Sequence, residues 1–231
     1  MRLLVVTAVE SERGAFLAGA AREDLFVRAA REDVFAGAAE AARVDVIAAG
    51  VGPAAAAAGT ARALALAEAA GQPYGAVLSA GIAGGFAGRV GVGGTALARY
   101  SVAADLGATA PAGFLSLDEL GFGSATISAD PTLLAELRAA LPDAVVGTML
   151  TVTTVTGTAE GSAALLARHP DAVCEAMEGF GVATAAAQAG VPFAELRTIS
   201  NLVGPRDRAA WRIAEALSAL SAASAAVLAG R

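Results

Sequence analysis

The sequence predicts a single α/β domain over residues 1–231, with three layers in which a mixed, mostly parallel sheet lies between helices. Two observations support this prediction. Short apolar, β-branched runs alternate along the chain with longer alanine-rich stretches of helical character, which is the pattern of βαβ units. A chain of 231 residues with 56% hydrophobic and 16% charged residues can also bury a large core without disulfides or a structural metal.

The predicted elements follow from local composition, in chain order. Residues 3–7 are rich in Val and Leu and predict a buried strand, and similar runs predict strands at 44–49, 76–80, 145–155, 173–177 and 193–200. Alanine-rich stretches predict helices at 53–70, 159–168, 179–189 and 207–228. Residues 91–123 contain several glycines, and we expect strands and a long surface loop there.

Composition excludes several classes of function. The net charge of −6 disfavours nucleic acid or an anionic membrane as the main partner. All 16 basic residues are Arg, so the chain has no Lys for Schiff-base chemistry, a P-loop or a pyridoxal-phosphate anchor. With a single cysteine, Cys174, and a single histidine, His169, we expect no disulfide, no metal site and no cofactor.

The N-terminal sequence indicates the compartment. Its first apolar run is shorter than a signal-peptide core and is followed at once by Glu10 and Glu12. Nowhere does an uninterrupted apolar run approach the ~20 residues of a membrane-spanning helix. We therefore expect a soluble, cytoplasmic protein.

Five clusters follow predicted strands, at the edge of the sheet where ligands bind in α/β folds. They are residues 10–12, 50–52, 81–85, 175–178 and 201–207. In the first, Glu12 could act as a general base toward water, or its charge could complement the dipole of a helix start. Residues 50–55 fit the G-x-G-x-x-A dinucleotide fingerprint, but Glu68, the nearest acidic candidate, lies inside a predicted helix. A tight turn is therefore favoured there over an NAD site.

The remaining clusters carry groups that suit a purine nucleoside. Backbone N–H groups around Gly81 could hold water, ribose or phosphate, or the glycines could serve only a turn. An ionised Glu178 accepts two hydrogen bonds, which suits a ribose diol, and Met177 can lie against a sugar or base. Asn201 can read N7 and the 6-oxo group of a purine together. Each also has a structural interpretation, as a helix-start Glu, a core Met and a turn-capping Asn.

Taken in order, these clusters resemble the nucleosidase branch of the purine nucleoside phosphorylase superfamily, through nearly the whole chain. The most specific part is Met177-Glu178-Gly179 followed by Ser200-Asn201. The resemblance implies a nucleoside phosphorylase-like fold and a cleft that holds purine, ribose and a 5′ substituent and cleaves the N-glycosidic bond. It further implies that one glutamate activates water and another holds the ribose hydroxyls; these are Glu12 and Glu178, with Met177 against the sugar.

Two departures, one from the nucleosidases and one from the phosphorylases of the superfamily, bear on the reaction. Asn201 stands where methylthioadenosine nucleosidases carry an Asp that protonates adenine. Since an amide can bridge N7 and O6, Asn201 favours hypoxanthine as the leaving base, and either Asp207 or solvent is left to protonate it. Phosphorylases of this superfamily bind phosphate through Arg and Ser around Gly81, where this chain has Ser79 and Ile82, so water is the expected nucleophile.

A closer resemblance within the branch is to hydrolases that release hypoxanthine from a nucleoside with a large 5′ substituent, and it covers residues 104–108, 150–152, 155–158, 200–207 and 211–213. The expected catalytic residues are Glu12, Asn201 and Asp207. The expected substrate-binding residues are Gly81, Ile82, Val155, Met177 and Glu178. The resemblance also implies a homodimer or larger homo-oligomer.

Several alternatives stay open at this point. Within the enzyme class, the chain could be a methylthioadenosine/S-adenosylhomocysteine nucleosidase that releases adenine, or could act on the 6-amino analogue of the expected nucleoside. From other classes, a nicotinamide-binding dehydrogenase rests on residues 50–55 alone. A non-catalytic module that binds purine nucleosides without cleaving them is the last possibility.

Overall fold

The computed structural model of the chain describes residues 2–20, 27–29, 44–111 and 113–229. Within these ranges the strands are β1 (Leu3–Thr7), β2 (Val27–Ala29), β3 (Val44–Ala48), β4 (Ala76–Gly85), β5 (Thr95–Ala103), β6 (Gly107–Ala110), β7 (Gly113–Ser116), β8 (Thr126–Ser128), β9 (Val145–Thr151), β10 (Ala172–Ala176) and β11 (Phe193–Leu202). The helices are α1 (Glu10–Ala20), α2 (Pro53–Ala69), α3 (Pro131–Ala140), α4 (Ala159–Arg168), α5 (Gly179–Gln188) and α6 (Ile213–Leu228).

Side-chain caps mark the starts of two helices, α3 and α4. Asp130 precedes α3, and its carboxylate accepts hydrogen bonds from the backbone N–H groups of Thr132 and Leu133 at 2.9 and 3.0 Å. The Thr158 hydroxyl accepts from the N–H of Gly161 at the start of α4. These bonds satisfy donors that have no partner within a first helical turn, so each helix begins where its cap allows.

The large sheet has the strand order β10-β9-β5-β11-β4-β1-β3-β2, and β8 pairs with β5. The contacts of β1 with β3 and β4, of β11 with β4, and of β9 with β5 and β10 are parallel. Those of β11 with β5 and of β8 with β5 are antiparallel. The predicted mixed, mostly parallel sheet is therefore confirmed, and β6 and β7 form a separate antiparallel hairpin in the region expected to contain strands and a long surface loop.

The end of β4 closes part of the sheet on itself. Gly84 and Gly85 pair antiparallel with Glu175 and Cys174 of β10, so β4, β11, β5, β9 and β10 form a ring. Its buried cluster consists mainly of small side chains: Ala83, Val90, Ala96, Ala98, Met149, Val173, Cys174, Ala176 and Ile199. The expectation that this strand ends at residue 80 in a glycine turn is wrong, because these glycines admit a close strand partner that bulkier residues would exclude.

Helices cover both faces of the sheet. On β1, Leu3 and Val5 pack in one core cluster with Phe16 of α1 and with residues of α3 and α6. Leu4 and Val6 pack in another with residues of α2 and α5. This alternation is the period of two expected for a strand buried on both sides, and it confirms the three layers.

Two other predicted elements are shorter in the structure by several residues. The predicted strand 145–155 ends at Thr151. Beyond Val152, whose N–H donates to the Ala176 carbonyl, the N–H groups of Thr153 and Thr156 donate to the carboxylates of Asp105 and Glu175 at 2.6 and 2.7 Å. The predicted helix 207–228 begins only at residue 213, after a 3₁₀ turn over residues 208–210. No helix in the described part of the chain is long and apolar enough to cross a membrane.

Candidate active site

Glu12 lies in the first turn of α1, where the chain leaves β1, and only 4% of its surface is exposed. Its Oε2 accepts hydrogen bonds from the N–H groups of Ala8 and Val9 at 2.9 and 3.3 Å. Its Oε1 accepts from the N–H of Ile82 in β4 at 2.9 Å. Glu10, by contrast, is exposed and pairs with Arg13. The carboxylate of Glu12 is thus held at the sheet edge by backbone of the turn after β1 and of the neighbouring strand β4.

Arg197 in β11 is fully buried and is a residue that the sequence interpretation missed. Its Nε donates to Glu195 at 3.0 Å, its Nη2 donates to the Ser79 hydroxyl at 2.9 Å, and its Nη1 lies 3.8 Å from Glu178. Burial acts to lower the pKa of Arg197, but the charges of Glu195, Glu178 and Glu12 outweigh it and raise that pKa. The guanidinium therefore carries a fixed positive charge among three carboxylates.

A signal for this cation was present in the sequence. Glu195 and Arg197 stand two residues apart in a strand with no other charged residue, and residues at that spacing face the same side of a sheet. Two opposite charges inside a buried strand are costly unless they pair, so their presence predicts an ion pair at a site.

Gly81 allows Glu12 and Arg197 to approach each other. A Cβ atom at this position would lie 2.6 Å from both Arg197 Nη1 and Glu12 Oε1, too close for either. The two atoms are therefore no more than twice that distance apart. Among the residues that the structure describes, Nη1 has no hydrogen-bond acceptor. A donor and an acceptor thus face the same small space beside Gly81.

Glu178 lies at the start of α5 and is 7% exposed. Its carboxylate accepts from the N–H groups of Gly52 and Met177 at 3.3 and 3.2 Å. Burial raises the pKa of Glu178, and the charge of Arg197 opposes that rise. Gly52 has φ of 93°, a conformation that favours glycine, so the glycines after β3 form a tight turn that serves this carboxylate. Met177, beside it, is half-buried.

A cavity lies three positions further along β4 from Gly81, at the closed end of the ring. It is lined by Gly84, Val155, Thr156, Glu175, Asn201, Leu202, Val203, Gly204, Pro205, Arg206 and Trp211. Glu175 and Asn201 are both Cα partners of Gly84, one on each side, so the three residues form one row across β10, β4 and β11. Glu175 and Asn201 supply polar side chains at the two ends of the row, and Gly84 at its centre has no side chain.

Asn201 is oriented by its neighbours. The ladder between β11 and β4 shifts register between Ile199 and Asn201, which is a β-bulge of the kind that redirects a side chain next to a site. The Ser200 hydroxyl donates to Asn201 Oδ1 at 2.7 Å, and Nδ2 donates to the Leu202 carbonyl at 3.0 Å. Because that carbonyl can only accept, it fixes which end of the amide is nitrogen.

Glu175 is 6% exposed and was given no individual role by the sequence interpretation. Its two oxygens accept from the N–H and the hydroxyl of Thr156 at 2.7 and 2.5 Å. Burial raises the pKa of Glu175, and the bonds from Thr156 oppose that rise. The available signal was its place in a strand whose other residues are apolar or Cys.

The structure brings most of the predicted residues to two places, three positions apart along β4. Glu12, Gly81, Ile82 and Glu178 meet around Arg197, and Asn201 and Val155 line the cavity at Gly84. Asp207 is the exception. It is exposed, its carboxylate accepts from the N–H of Ala209 at 3.0 Å to cap the 3₁₀ turn, and it is not among the residues lining the cavity. Across the described ranges, no group of acidic, His and Cys residues could hold a metal.

The fold and this site define the class of protein. The chain matches the phosphorylase superfamily over residues 2–229, and it belongs to that family. This match confirms the resemblance seen in the sequence clusters.

Two relatives within the family narrow the class. The chain is 55% identical over 177 residues to the futalosine hydrolase of Streptomyces coelicolor, covering 77% of this chain and 75% of that protein. It is 48% identical over 158 residues to the futalosine hydrolase of Acidothermus cellulolyticus, covering 67% and 64%. Within the superfamily the chain therefore groups with the futalosine hydrolases, the hydrolases indicated by the closer resemblance.

Solved structures support the fold. The native futalosine hydrolase of Helicobacter pylori superposes with a TM-score of 0.79 at 15% identity, covering 100% of this chain and 98% of that one. The methylthioadenosine/S-adenosylhomocysteine nucleosidase of S. pneumoniae, bound to a transition-state inhibitor, gives a TM-score of 0.78 at 20% identity, covering 99% and 98%. At these identities the likeness establishes the shared architecture and confirms the predicted nucleosidase-like fold.

Proposed function

We propose that the protein hydrolyses the N-glycosidic bond of futalosine, releasing hypoxanthine and dehypoxanthine futalosine, as a step of the futalosine route to menaquinone. The identity to two futalosine hydrolases supports the substrate. The observation that carries the chemistry is the meeting of Glu12 and Arg197 at Gly81, three positions along β4 from Gly84, which lines the same cavity as Asn201.

Glu12 and Arg197 are suited to activate water. A water molecule between them accepts a hydrogen bond from Arg197 Nη1 and donates one to Glu12 Oε1. As the glycosidic bond breaks, Glu12 takes the proton and the water oxygen bonds to the sugar carbon. The backbone N–H groups on Glu12 hold it in place for this transfer, which lowers the cost of positioning in the transition state.

Glu178 is suited to hold the ribose. An ionised carboxylate accepts two hydrogen bonds, which matches the two neighbouring sugar hydroxyls, and Met177 next to it offers an apolar contact for the sugar. The negative charge of Glu178 also stabilises the positive charge that develops on the sugar ring. Arg197, whose Nη1 lies 3.8 Å from the Glu178 carboxylate, helps to keep this carboxylate in place.

Asn201 is suited to stabilise the leaving base. Its Nδ2 has a second proton that can be donated to N7 or O6 of hypoxanthine while negative charge builds up on the ring. Asp207, the other predicted proton source, is occupied in capping a turn at the surface. Solvent therefore remains the better candidate for protonating the released base.

The charges at the site favour water over phosphate as nucleophile. Arg197 is the cation beside Gly81, and it is already shared by Glu195, Glu178 and Glu12. A phosphate dianion placed there would be repelled by three carboxylates in a poorly solvated space. Neutral water carries no such penalty.

Chromatography of the purine released from four nucleosides, with and without phosphate, tests the proposal. The substrates are futalosine, its 6-amino analogue, methylthioadenosine and inosine. Hypoxanthine from futalosine at a rate independent of phosphate is the expected result. Adenine from methylthioadenosine alone would favour the second candidate, the nucleosidase whose fold this chain shares. Binding without release from any of them would indicate a non-catalytic module.

Two further expectations accompany the proposed function. We propose that the protein acts in the cytoplasm and as a homodimer or larger homo-oligomer, as the resemblance to its branch of the superfamily implies. Light scattering coupled to size-exclusion chromatography tests the second, and a single monomeric peak at the enzyme's working concentration would contradict it.

A further inference from the structure

We propose that Glu175 selects the 6-oxopurine by accepting a hydrogen bond from its N1–H group. This inference rests on the proposed function for the reaction and adds the residue that distinguishes hypoxanthine from adenine. It concerns the cavity end opposite Asn201, to which neither the sequence nor the mechanism above assigns a role.

The row of Glu175, Gly84 and Asn201 has the dimensions of a purine site. Neighbouring strands are ~4.8 Å apart, so the outer two residues stand roughly 10 Å from each other with their side chains lining one cavity. Gly84 between them has no side chain, and the space beside it is taken by Val203 and the Asn201 amide: a Cβ there would lie 3.0 Å from Val203 Cγ2 and 3.3 Å from Asn201 Nδ2. A flat ring can lie in the cavity against Val203, with one edge toward the carboxylate and the other toward the amide.

The two polar ends match hypoxanthine and mismatch adenine. Hypoxanthine presents the donor N1–H at one edge and the acceptors O6 and N7 at another. An ionised Glu175 has only acceptors, and Asn201 Nδ2 is a donor, so both edges are paired. In adenine, N1 is an acceptor and the 6-substituent is a donor. A carboxylate facing adenine N1 would meet a lone pair, and a buried acceptor would be left without a partner.

Thr156 holds Glu175 for this contact. Its N–H and hydroxyl bond to different oxygens of the carboxylate, which fixes the plane of the group. Each carboxylate oxygen has a further lone pair for a third donor. The Gly157 carbonyl next along the chain accepts from the N–H of Arg206, so the loop that orients Glu175 is tied to another wall of the cavity.

The test compares Glu175→Gln with the wild type and with Glu160→Gln, a variant at an exposed residue of α4. A Gln side chain can still accept from Thr156, and it can offer either an acceptor to N1–H or a donor to adenine N1. We expect the ratio of kcat/KM for futalosine to that for its 6-amino analogue to fall on the order of 10- to 100-fold in Glu175→Gln, the worth of a hydrogen bond to a charged group. In Glu160→Gln the ratio stays at the wild-type value.

Binding of free hypoxanthine and free adenine, measured by calorimetry, gives a readout independent of turnover. The same variant should lose affinity for hypoxanthine relative to adenine. An unchanged ratio in both assays, or equal losses for both bases, would overturn the role of Glu175 and leave the proposed function standing. Wild-type protein that releases no purine would overturn the proposed function, whereas the binding ratio would still decide on Glu175. If Glu175→Gln does not fold, Thr156→Val decides, with a smaller shift in the same direction expected.

Discussion

Replacing Gly81 by Ala tests the geometry at the centre of the site. The added Cβ would lie 2.6 Å from Arg197 Nη1 and from Glu12 Oε1, whereas ordinary contact requires ~3.5 Å, so the two groups must retreat by about 1 Å. Neither is free to do so. Arg197 is held through Glu195 and Ser79, and Glu12 is held by three backbone N–H groups.

The main effect expected of Gly81→Ala is a lower kcat. A misplacement of about 1 Å in a catalytic group costs on the order of 100-fold, so we expect kcat to fall by about that factor while KM changes less. The extra methyl group in a filled interior should also destabilise the protein by about 1–3 kcal/mol. Steady-state kinetics with futalosine and urea unfolding measure the two effects separately.

Gly14→Ala is the matched control. Gly14 is exposed in α1, and a Cβ there would meet nothing within 4 Å. Ala exceeds Gly in helix propensity by ~1 kcal/mol, so this variant should keep full activity and gain up to that much stability. A Gly81→Ala protein with the wild-type kcat would refute the reasoning, because it would show that Glu12 and Arg197 need not meet.

Three further predictions concern the buried charges. Glu12→Gln should abolish turnover but spare substrate binding, because Gln keeps the shape of the side chain and cannot take the proton. A rate assay and a binding titration check this, and a fully active variant would contradict the role of Glu12 as general base. Burial raises the pKa of Glu178 above its ordinary value of 4.5, although the charge of Arg197 opposes the rise, so its contribution to stability is complete below pH 4.5 and is lost as pH rises through the folded-state pKa. Urea unfolding at pH values from 4 to 8 should accordingly show Glu178→Gln gaining stability relative to the wild type with rising pH, and a constant difference would argue against a raised pKa. Glu195→Gln removes a buried charged partner of Arg197 and should lower the free energy of unfolding by about 3–5 kcal/mol. The control Glu215→Gln, at an exposed ion pair, should lower it by less than about 1 kcal/mol. Equal losses in the two variants would mean that the Glu195–Arg197 pair does not stabilise the fold.

Local sequence pattern was enough for most of the large sheet. Apolar runs and alanine-rich stretches gave six of its nine strands and four of the six helices that the structure describes, because burial on both faces leaves a period that composition reveals. They gave no bounds for α1 or α3. The position of Glu12 and of Glu178 also followed from local pattern, since each comes directly after a strand and the ends of parallel strands share an edge.

The parts that escaped prediction depend on long-range pairing. That β4 continues through Gly84 follows from its pairing with β10, which lies far away in the chain and leaves no local signal. The role of Glu175 could not be inferred without that register. Asp207 is a different case. Its neighbours in sequence line the cavity, but its own carboxylate accepts from the N–H of Ala209 and does not line the cavity.

The closing pair of the ring is also the floor of the base cavity, which links binding to folding. Glu175 and Gly84 come together only when both strands have formed, and contacts so distant in sequence are slow to form during folding. A purine that bridges Glu175 and Asn201 fastens β10 to β11 across Gly84, so it binds the closed ring and not an opened one. Bound hypoxanthine should thus slow hydrogen exchange at the amides of this junction more than at those in the distant half of the sheet. The leaving base then stabilises the pairing of β4 with β10 that forms its own binding site.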